Sequence, residues 1–214
     1  MVLKKTQTNS FSNWKNFSEK ETLLPEQLEK FKQYFKLLQQ ENKKYNLTRI
    51  IDEKDVIEYH FKESLILRKF FSVSSSKGVV DIGSGAGFPG LPLAIIFEDV
   101  PFYLIEVIGR KVSFLKMVID QLGLKNVEVV DCDFRTFICS KKYNADTFLA
   151  RASLKVSELL RIFWPNSLYK KSTLVYWASK LWQATEHESS LITKQERYIV
   201  GEKKRRLIFF KNYK

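Results

Sequence analysis

Few folds accommodate the stretch Val80-Asp81-Ile82-Gly83-Ser84-Gly85-Ala86-Gly87-Phe88-Pro89-Gly90. Val79 to Ile82 read as a short strand and the apolar residues after the glycines as a helix, so the glycines form the turn between them. With no Cβ in the way, backbone N–H groups of such a turn can approach a bound molecule closely. Strand, glycine turn and helix make the opening unit of an α/β sheet whose ligands sit beyond the carboxyl ends of the strands.

The rest of the chain fits that unit. Apolar runs at Phe102 to Glu106, Val127 to Val130, Thr147 to Ala150 and Thr173 to Trp177 are spaced by helical patterns from about Arg110 to Leu122 and across Leu154 to Phe163. Gly123 stands where a C-terminal helix cap belongs. Strands separated by crossover helices imply a mostly parallel sheet. Arg197 to Val200, a turn at Gly201 to Lys204, and Leu207 to Phe210 then read as an antiparallel hairpin. Ahead of the sheet, Leu28, Phe31, Phe35 and Leu38 form one apolar helical stripe that begins at Pro25, and a second helix starts at Asp52 as N-cap and runs to about Phe71. The division expected is a loosely ordered tail over 1–23, a helical extension over 24–77 and the sheet domain over 78–214, with the Ser-rich segment Ser72 to Lys77 as connector.

The glycine turn can be read in two registers. From Gly83 it is D-x-G-x-G-x-G, with Phe88 where a dinucleotide fingerprint wants a third glycine. From Gly85 the letters spell G-x-G-x-x-G, two residues late and with Pro89 inside the turn. The first register suits S-adenosylmethionine, whose sulfonium and α-amino group gain from a carboxylate such as Asp81; a pyrophosphate would be disfavoured by it. The second keeps a nicotinamide-dependent oxidoreductase in play. Glu106 ends the next strand, 25 positions after Asp81, where a carboxylate can accept both hydrogen bonds of a ribose diol in either case.

Asn46-Leu47-Thr48, His60 with Glu63-Ser64-Leu65, the run from Asp81 to Ala94 (DIGSGAGFPGLPLA), the run from Leu104 to Leu115, Leu124 to Val127 and Arg151-Ala152 together resemble the bacterial small-subunit ribosomal RNA guanine-N7 methyltransferase family, also called glucose-inhibited division protein B. The resemblance covers most of 24–185. It implies a class I S-adenosylmethionine-dependent methyltransferase fold, Rossmann-like and mostly parallel, and methyl transfer to N7 of one guanine in 16S ribosomal RNA. Matched residue by residue, cofactor contacts fall on Gly83 and Phe88, on the backbone around Phe134 and Arg135, and on Arg151; Gly85 and Gly87 come from the glycine turn itself, and Glu106 from the general class I pattern. Three departures stand out. Glu63 replaces the family's Asp, Asp133-Phe134-Arg135 inverts the charges of an R-x-E, and Leu181 follows Lys180 where a glycine is usual.

Guanine N7 carries a lone pair and no proton, so attack on a methyl sulfonium needs alignment rather than a general base. The residues agree: no catalytic dyad, nucleophile arrangement or metal-ligand cluster is present, and the two histidines, His60 and His187, are far apart in sequence. Arg151, at the end of a predicted strand, is the leading active-site side chain. Its fork suits a cofactor carboxylate, guanine O6 or a phosphate, and the competing reading is an ion pair with Asp146 or Glu158. His60 reads as a hydrogen-bonded packing residue, and Asn46 and Thr48 as caps between two helices or a cover over the cleft.

Lys and Arg total 36 against 24 Asp and Glu, a net charge of +12, which concerns partners rather than fold. Lys180, Arg110 and Lys111 are the candidate contacts to RNA, with further basic pairs such as Lys203 to Arg206 able to follow phosphates if they cluster in space. A non-catalytic RNA-binding protein that kept the fold is the alternative from another class. No run approaches the roughly 20 apolar residues of a membrane span, and the two cysteines, Cys132 and Cys139, match neither a disulfide scaffold nor a metal motif. A monomer in a reducing, cytoplasmic setting, with the 16S ribosomal RNA or small subunit as partner and no membrane, is the resulting expectation.

Overall fold

The computed structural model describes residues 2–212, with side chains from Ser12 onward. Helices α1 (Val2–Glu21) and α2 (Pro25–Tyr45) lead into α3 (Glu53–Val56), which continues without a break through a π-helical stretch over Ile57–Lys62, α4 (Glu63–Leu65) and a tight turn over Ile66–Lys69. Asp52 caps α3 by accepting from the backbone N–H of Lys54 and Asp55, as its position in the sequence suggests.

The loose tail expected over 1–23 is instead helix α1. Its sequence has no sustained apolar period, so local signals are silent. What orders it is tertiary: Trp14 and Phe17, one turn apart, are buried among Phe31, Phe35 and Phe61, and the Trp14 indole donates to Glu53 Oε2 at 3.0 Å.

Strands β1 (Val79–Ile82), β2 (Phe102–Ile105), β3 (Val127–Val130), β4 (Thr147–Arg151) and β5 (Thr173–Ser179) are parallel, crossed over by α5 (Gly90–Ile96), α6 (Gly109–Leu122), α7 (Phe134–Ile138) and α8 (Val156–Leu159). After the short α9 (Glu186–Ser190), β6 (Ile192–Val200) and β7 (Lys203–Lys211) form the hairpin, and β7 runs antiparallel to both its neighbours. The sheet order is β3-β2-β1-β4-β5-β7-β6. The hairpin is longer than its apolar residues suggest, because each strand is extended by a mostly polar or charged stretch, Ile192 to Glu196 in β6 and Lys203 to Arg206 in β7. The helix expected across Leu154 to Phe163 breaks after one turn into a tighter 3₁₀ segment at Leu160–Phe163.

Burial on both faces explains the apolar central strands. Val80 and Ile82 of β1 and Phe148 and Ala150 of β4 join the core under α7 and α8. Val79 and Leu149 face the other way, into a core shared by α5, α6 and the N-terminal helices. Asp81 points to that second, apolar face as well, with no exposed surface. The helices before residue 78 thus pack on the sheet through one continuous core, and they cover the glycine turn from behind.

Candidate cofactor cleft and neighbouring chamber

At the carboxyl ends of β1, β2 and β4 lies a cleft of about 290 Å3, bordered by Gly83, Glu106, Lys111, Phe134, Ala152 and Ser153. Its lips are aliphatic: Val107, Ile108 and Leu154 are large apolar residues left exposed at this edge. Glu106 is the organising side chain. Its Oε2 accepts from the Gly85 N–H at 2.9 Å, and its Oε1 from the N–H groups of Val107 at 3.0 Å and Ile108 at 2.9 Å. One carboxylate thereby ties the glycine turn to the end of β2 and stands at the cleft wall with lone pairs still able to accept.

Asp81 has a different task. Its Oδ2 accepts from the Gly90 N–H at 2.9 Å, the first residue of α5. A carboxylate therefore already occupies the helix N-terminus at which a dinucleotide fold binds its diphosphate, which removes the physical basis of the Gly85 register. The other oxygen, Oδ1, is buried without a hydrogen-bond partner, as is Ser153 Oγ at the cleft. Burial raises the Asp81 pKa to about 6. Ser153 borders the cleft, while Asp81 lies buried behind the glycine turn, where its charge would favour a cation bound on the other side.

The sequence candidates separate into three groups. Gly83, Glu106 and Phe134 border the cleft together, and so does Lys111, expected at RNA. Gly85, which holds Glu106 through its N–H, does not border it, and neither do Gly87 and Phe88. The Phe88 ring is buried, stacked on His60 at 4.2 Å and against Tyr34 at 5.4 Å, while Tyr34 donates its hydroxyl to the Ala86 carbonyl. They join the turn to α2 and the π-helical stretch. Arg135 also points away and pairs with Glu158 at 2.9 Å; Asp133 caps α7 through the N–H groups of Arg135 and Thr136. The inverted charges at 133 and 135 are thus a cap and a surface pair. Arg110 is exposed at the start of α6.

Arg151 lies one step from the cleft, in a chamber of about 580 Å3 that Ala152 also lines. It does not pair with Asp146 or Glu158. Asp146 instead caps the Lys77 N–H at 3.1 Å. The Arg151 guanidinium donates to the Tyr59 carbonyl and to His60 Nδ1, each at 3.2 Å, and lies 3.5 Å from Glu63 Oε2. Because arginine has only donors, His60 Nδ1 must accept, so the ring proton sits on Nε2, which donates to Thr48 Oγ1 at 2.9 Å. Burial and the Arg151 charge push the His60 pKa down to about 3. His60 is therefore neutral at physiological pH with both nitrogens engaged, in keeping with a packing residue. Glu63 also takes Tyr198 at 3.2 Å and Arg205 Nε at 3.3 Å. Its side chain, longer than the family's Asp, meets three partners from β4, β6 and β7. The sequence marks neither Ser153 nor Tyr198 as a site residue, and it marks Arg205 only as one of the basic residues Lys203 to Arg206. Of the first two, only Ser153 carried a usable signal, two residues beyond Arg151 at a strand end.

A parallel sheet extended by one antiparallel strand, a glycine turn after the first strand and an acid at the end of the second define a class I methyltransferase. The solved structure of a mutant of MtNAS in complex with S-adenosylmethionine shares the fold at 17% identity and TM-score 0.56, covering 83% of this chain and 72% of that one. The family model described as GidB, rRNA small subunit methyltransferase G, matches residues 27–209, and the chain belongs to that family. The ribosomal RNA small subunit methyltransferase G of Mesoplasma florum is 42% identical over 120 residues, 55% of this chain and 50% of that protein. The protein of that name from onion yellows phytoplasma is 34% identical over 184 residues, 86% of each. The matched region thus spans about half the length of the first relative and most of the second.

Proposed function

We propose that the chain transfers a methyl group from S-adenosylmethionine to N7 of a guanine in 16S ribosomal RNA of the small subunit, working as a monomer in the reducing cytoplasm, where its two free cysteines stay unpaired. Among the described residues no helix is long and apolar enough to cross a membrane. The observation that carries the reading is the cleft itself: a carboxylate at the end of β2 holds the glycine turn, aliphatic lips stand beside it, and the helix N-terminus is closed to a diphosphate. Gly83, Glu106, Phe134 and Ser153 would hold the cofactor, Glu106 accepting from the ribose hydroxyls. When bound, the cofactor supplies an electrophilic methyl carbon on a cationic sulfur.

The remaining work is alignment. Guanine N7 offers a lone pair without a proton to remove, and among the described residues the two titratable groups beside Arg151 are not free to act as a base: His60 is neutral and doubly engaged, and the Glu63 carboxylate is spent on two arginines and a tyrosine. Incubating the protein with S-adenosylmethionine and either 16S ribosomal RNA or small subunits, followed by mass spectrometry of the nucleosides, is expected to show 7-methylguanosine. RNA binding without any methyl transfer would favour the binding-module alternative instead.

Asp81 gives this reading a pH signature. In the free protein its raised pKa means that the folded state keeps the proton more tightly than the unfolded chain, so its burial costs stability as pH rises through the window from about 4 to about 6. A cation placed near it favours the ionised form and expels the proton. Affinity for S-adenosylmethionine should therefore tighten by about tenfold between pH 5 and 7, with close to one proton released at pH 5. Calorimetry in buffers of different ionisation enthalpy reads both quantities, and a flat profile would detach Asp81 from the cofactor.

A further inference from the structure

Beyond the cofactor cleft lie two further depressions, joined to it in turn by shared lining residues. The chamber with Arg151 at its wall shares Ala152 with the cleft, and a groove of about 630 Å3 along the hairpin shares Arg205 with the chamber. We infer that these form one path for RNA, in which the hairpin groove holds the phosphate backbone and a single unstacked guanosine enters the chamber to present N7 to the cleft. This rests on the methyltransferase reading above and assigns surfaces to its acceptor.

The chemistry differs along the path as such an acceptor requires. Lys180, Arg197, Lys204 and Arg206 line the groove together with Arg205, and among the described residues no acidic one lines it. Lys180, Arg197 and Lys204 are exposed and make no ion pair with a described acid. That is a surface for phosphates, whose recognition is electrostatic and indifferent to base. The groove is also braced: Arg206 donates to the carbonyls of Ser179 and Trp182 and lies over the Trp182 ring at 5.7 Å, so β7 and the segment after β5 keep their spacing.

The chamber is aromatic rather than merely basic. Tyr59, Tyr176, Trp177 and Trp182 line it, with Lys203 Nζ set 3.9 Å above the Tyr59 ring and Arg205 held by Glu63. Aromatic faces and arginine planes are what splayed RNA bases stack on, and guanine O6 accepts from such cations. At about 580 Å3 the chamber has the size of a ligand site and not of a duplex. A paired guanine could not reach it, because the major groove of an RNA helix is too deep and narrow for its N7 to be approached by a protein pocket, so the base must leave the stack. Ala152, where chamber meets cleft, holds a left-handed φ of 52, a conformation a non-glycine residue keeps only under constraint. It turns the chain at the end of β4 so that Arg151 lines the chamber and Ser153 the cleft.

Two sets of variants of the full chain separate groove from chamber. R197A with K204A should lower affinity for 16S ribosomal RNA and reduce the slope of log affinity against log salt by about two, one per lost phosphate contact, with S-adenosylhomocysteine binding unchanged. S179W puts a bulky ring into the chamber from an exposed strand position. It should leave RNA affinity within about threefold while cutting methyl transfer by 100-fold or more, a barrier increase of about 2.7 kcal/mol. Should S179W fold poorly, S179F, a smaller ring at the same exposed position, carries the same arm. An unchanged salt slope overturns the groove assignment, and unchanged methyl transfer in both S179W and S179F overturns the chamber. A wild type that binds RNA and cofactor but transfers no methyl group sinks the proposed activity, and the salt-slope arm still decides the groove.

Discussion

Replacing Gly87 with alanine is expected to cost about 2–5 kcal/mol of folding stability, combining roughly 1–2 for a left-handed residue with a Cβ and 1–3 for overpacking. Gly87 adopts φ 98, and a Cβ built there would lie 2.4 Å from Leu91 Cδ1 and 2.5 Å from Tyr34 Oη. Leu91 belongs to α5 and is fully buried, so it has little room to give. Tyr34 would have to withdraw, and with it the hydrogen bond by which α2 holds the Ala86 carbonyl. The control is Gly85→Ala. Gly85 has a similar backbone at φ 62, but the nearest atom to its Cβ is the Gly83 carbonyl oxygen at 3.9 Å. Backbone strain alone predicts a cost of about 1 kcal/mol there. Urea unfolding of the two variants reads the difference, and equal midpoints would show that packing against Tyr34 and Leu91 contributes nothing.

The second large effect is on ligand rather than fold. Glu106→Gln should weaken S-adenosylhomocysteine binding by about 100-fold, since charged hydrogen bonds of roughly 1.5–3 kcal/mol each are lost. Three N–H groups converge on the two carboxylate oxygens of Glu106. An amide offers one oxygen, so on one side its NH2 must face another donor. Either the Gly85 turn or the Val107-Ile108 backbone is released, and the acceptor pair for the ribose is gone as well. Calorimetric titration decides it. Affinity within a few-fold of the wild type would remove Glu106 from the cofactor site.

These two sites also show how differently residues announce themselves. Glu106 is legible because its place at the end of the second strand and its carboxylate chemistry are both local properties. The D-x-G-x-G-x-G register is legible for the same reason, and the structure supplies its cause in the Asp81 carboxylate on the Gly90 N–H. Phe88 shows the opposite. Adjacent to the turn and matched to a family motif, it is expected at the cofactor, yet its ring lies behind the turn between His60 and Tyr34. Nothing in residues 83–90 reveals that α2 and the π-helical stretch pack there.

Arg151 makes the same point about charge. Its nearest acids by sequence, Asp146 and Glu158, are engaged elsewhere, and its partner is Glu63, which precedes the sheet altogether. Burying both groups lets one carboxylate join Arg151 of β4 to Arg205 of β7 and Tyr198 of β6, a junction that spans 142 residues from Glu63 to Arg205. Helix α1 is similar in kind: its order comes from Trp14 and Phe17 packing into the aromatic core of Phe31, Phe35 and Phe61 rather than from its own periodicity.

By itself, the sequence determined the alternation of strands and helices, the antiparallel hairpin at the end, the caps at Asp52 and Gly123, and the glycine turn with its acid at Glu106. Each depends on backbone conformations and side-chain spacings within one or two elements. Only the tertiary structure decided which candidates share a cleft, that Arg151 belongs to a neighbouring chamber, and that the hairpin's arginines lead towards it. Those relations depend on which buried charges and aromatic faces meet across the sheet, and such meetings are set by packing between distant segments, which leaves no local pattern to read.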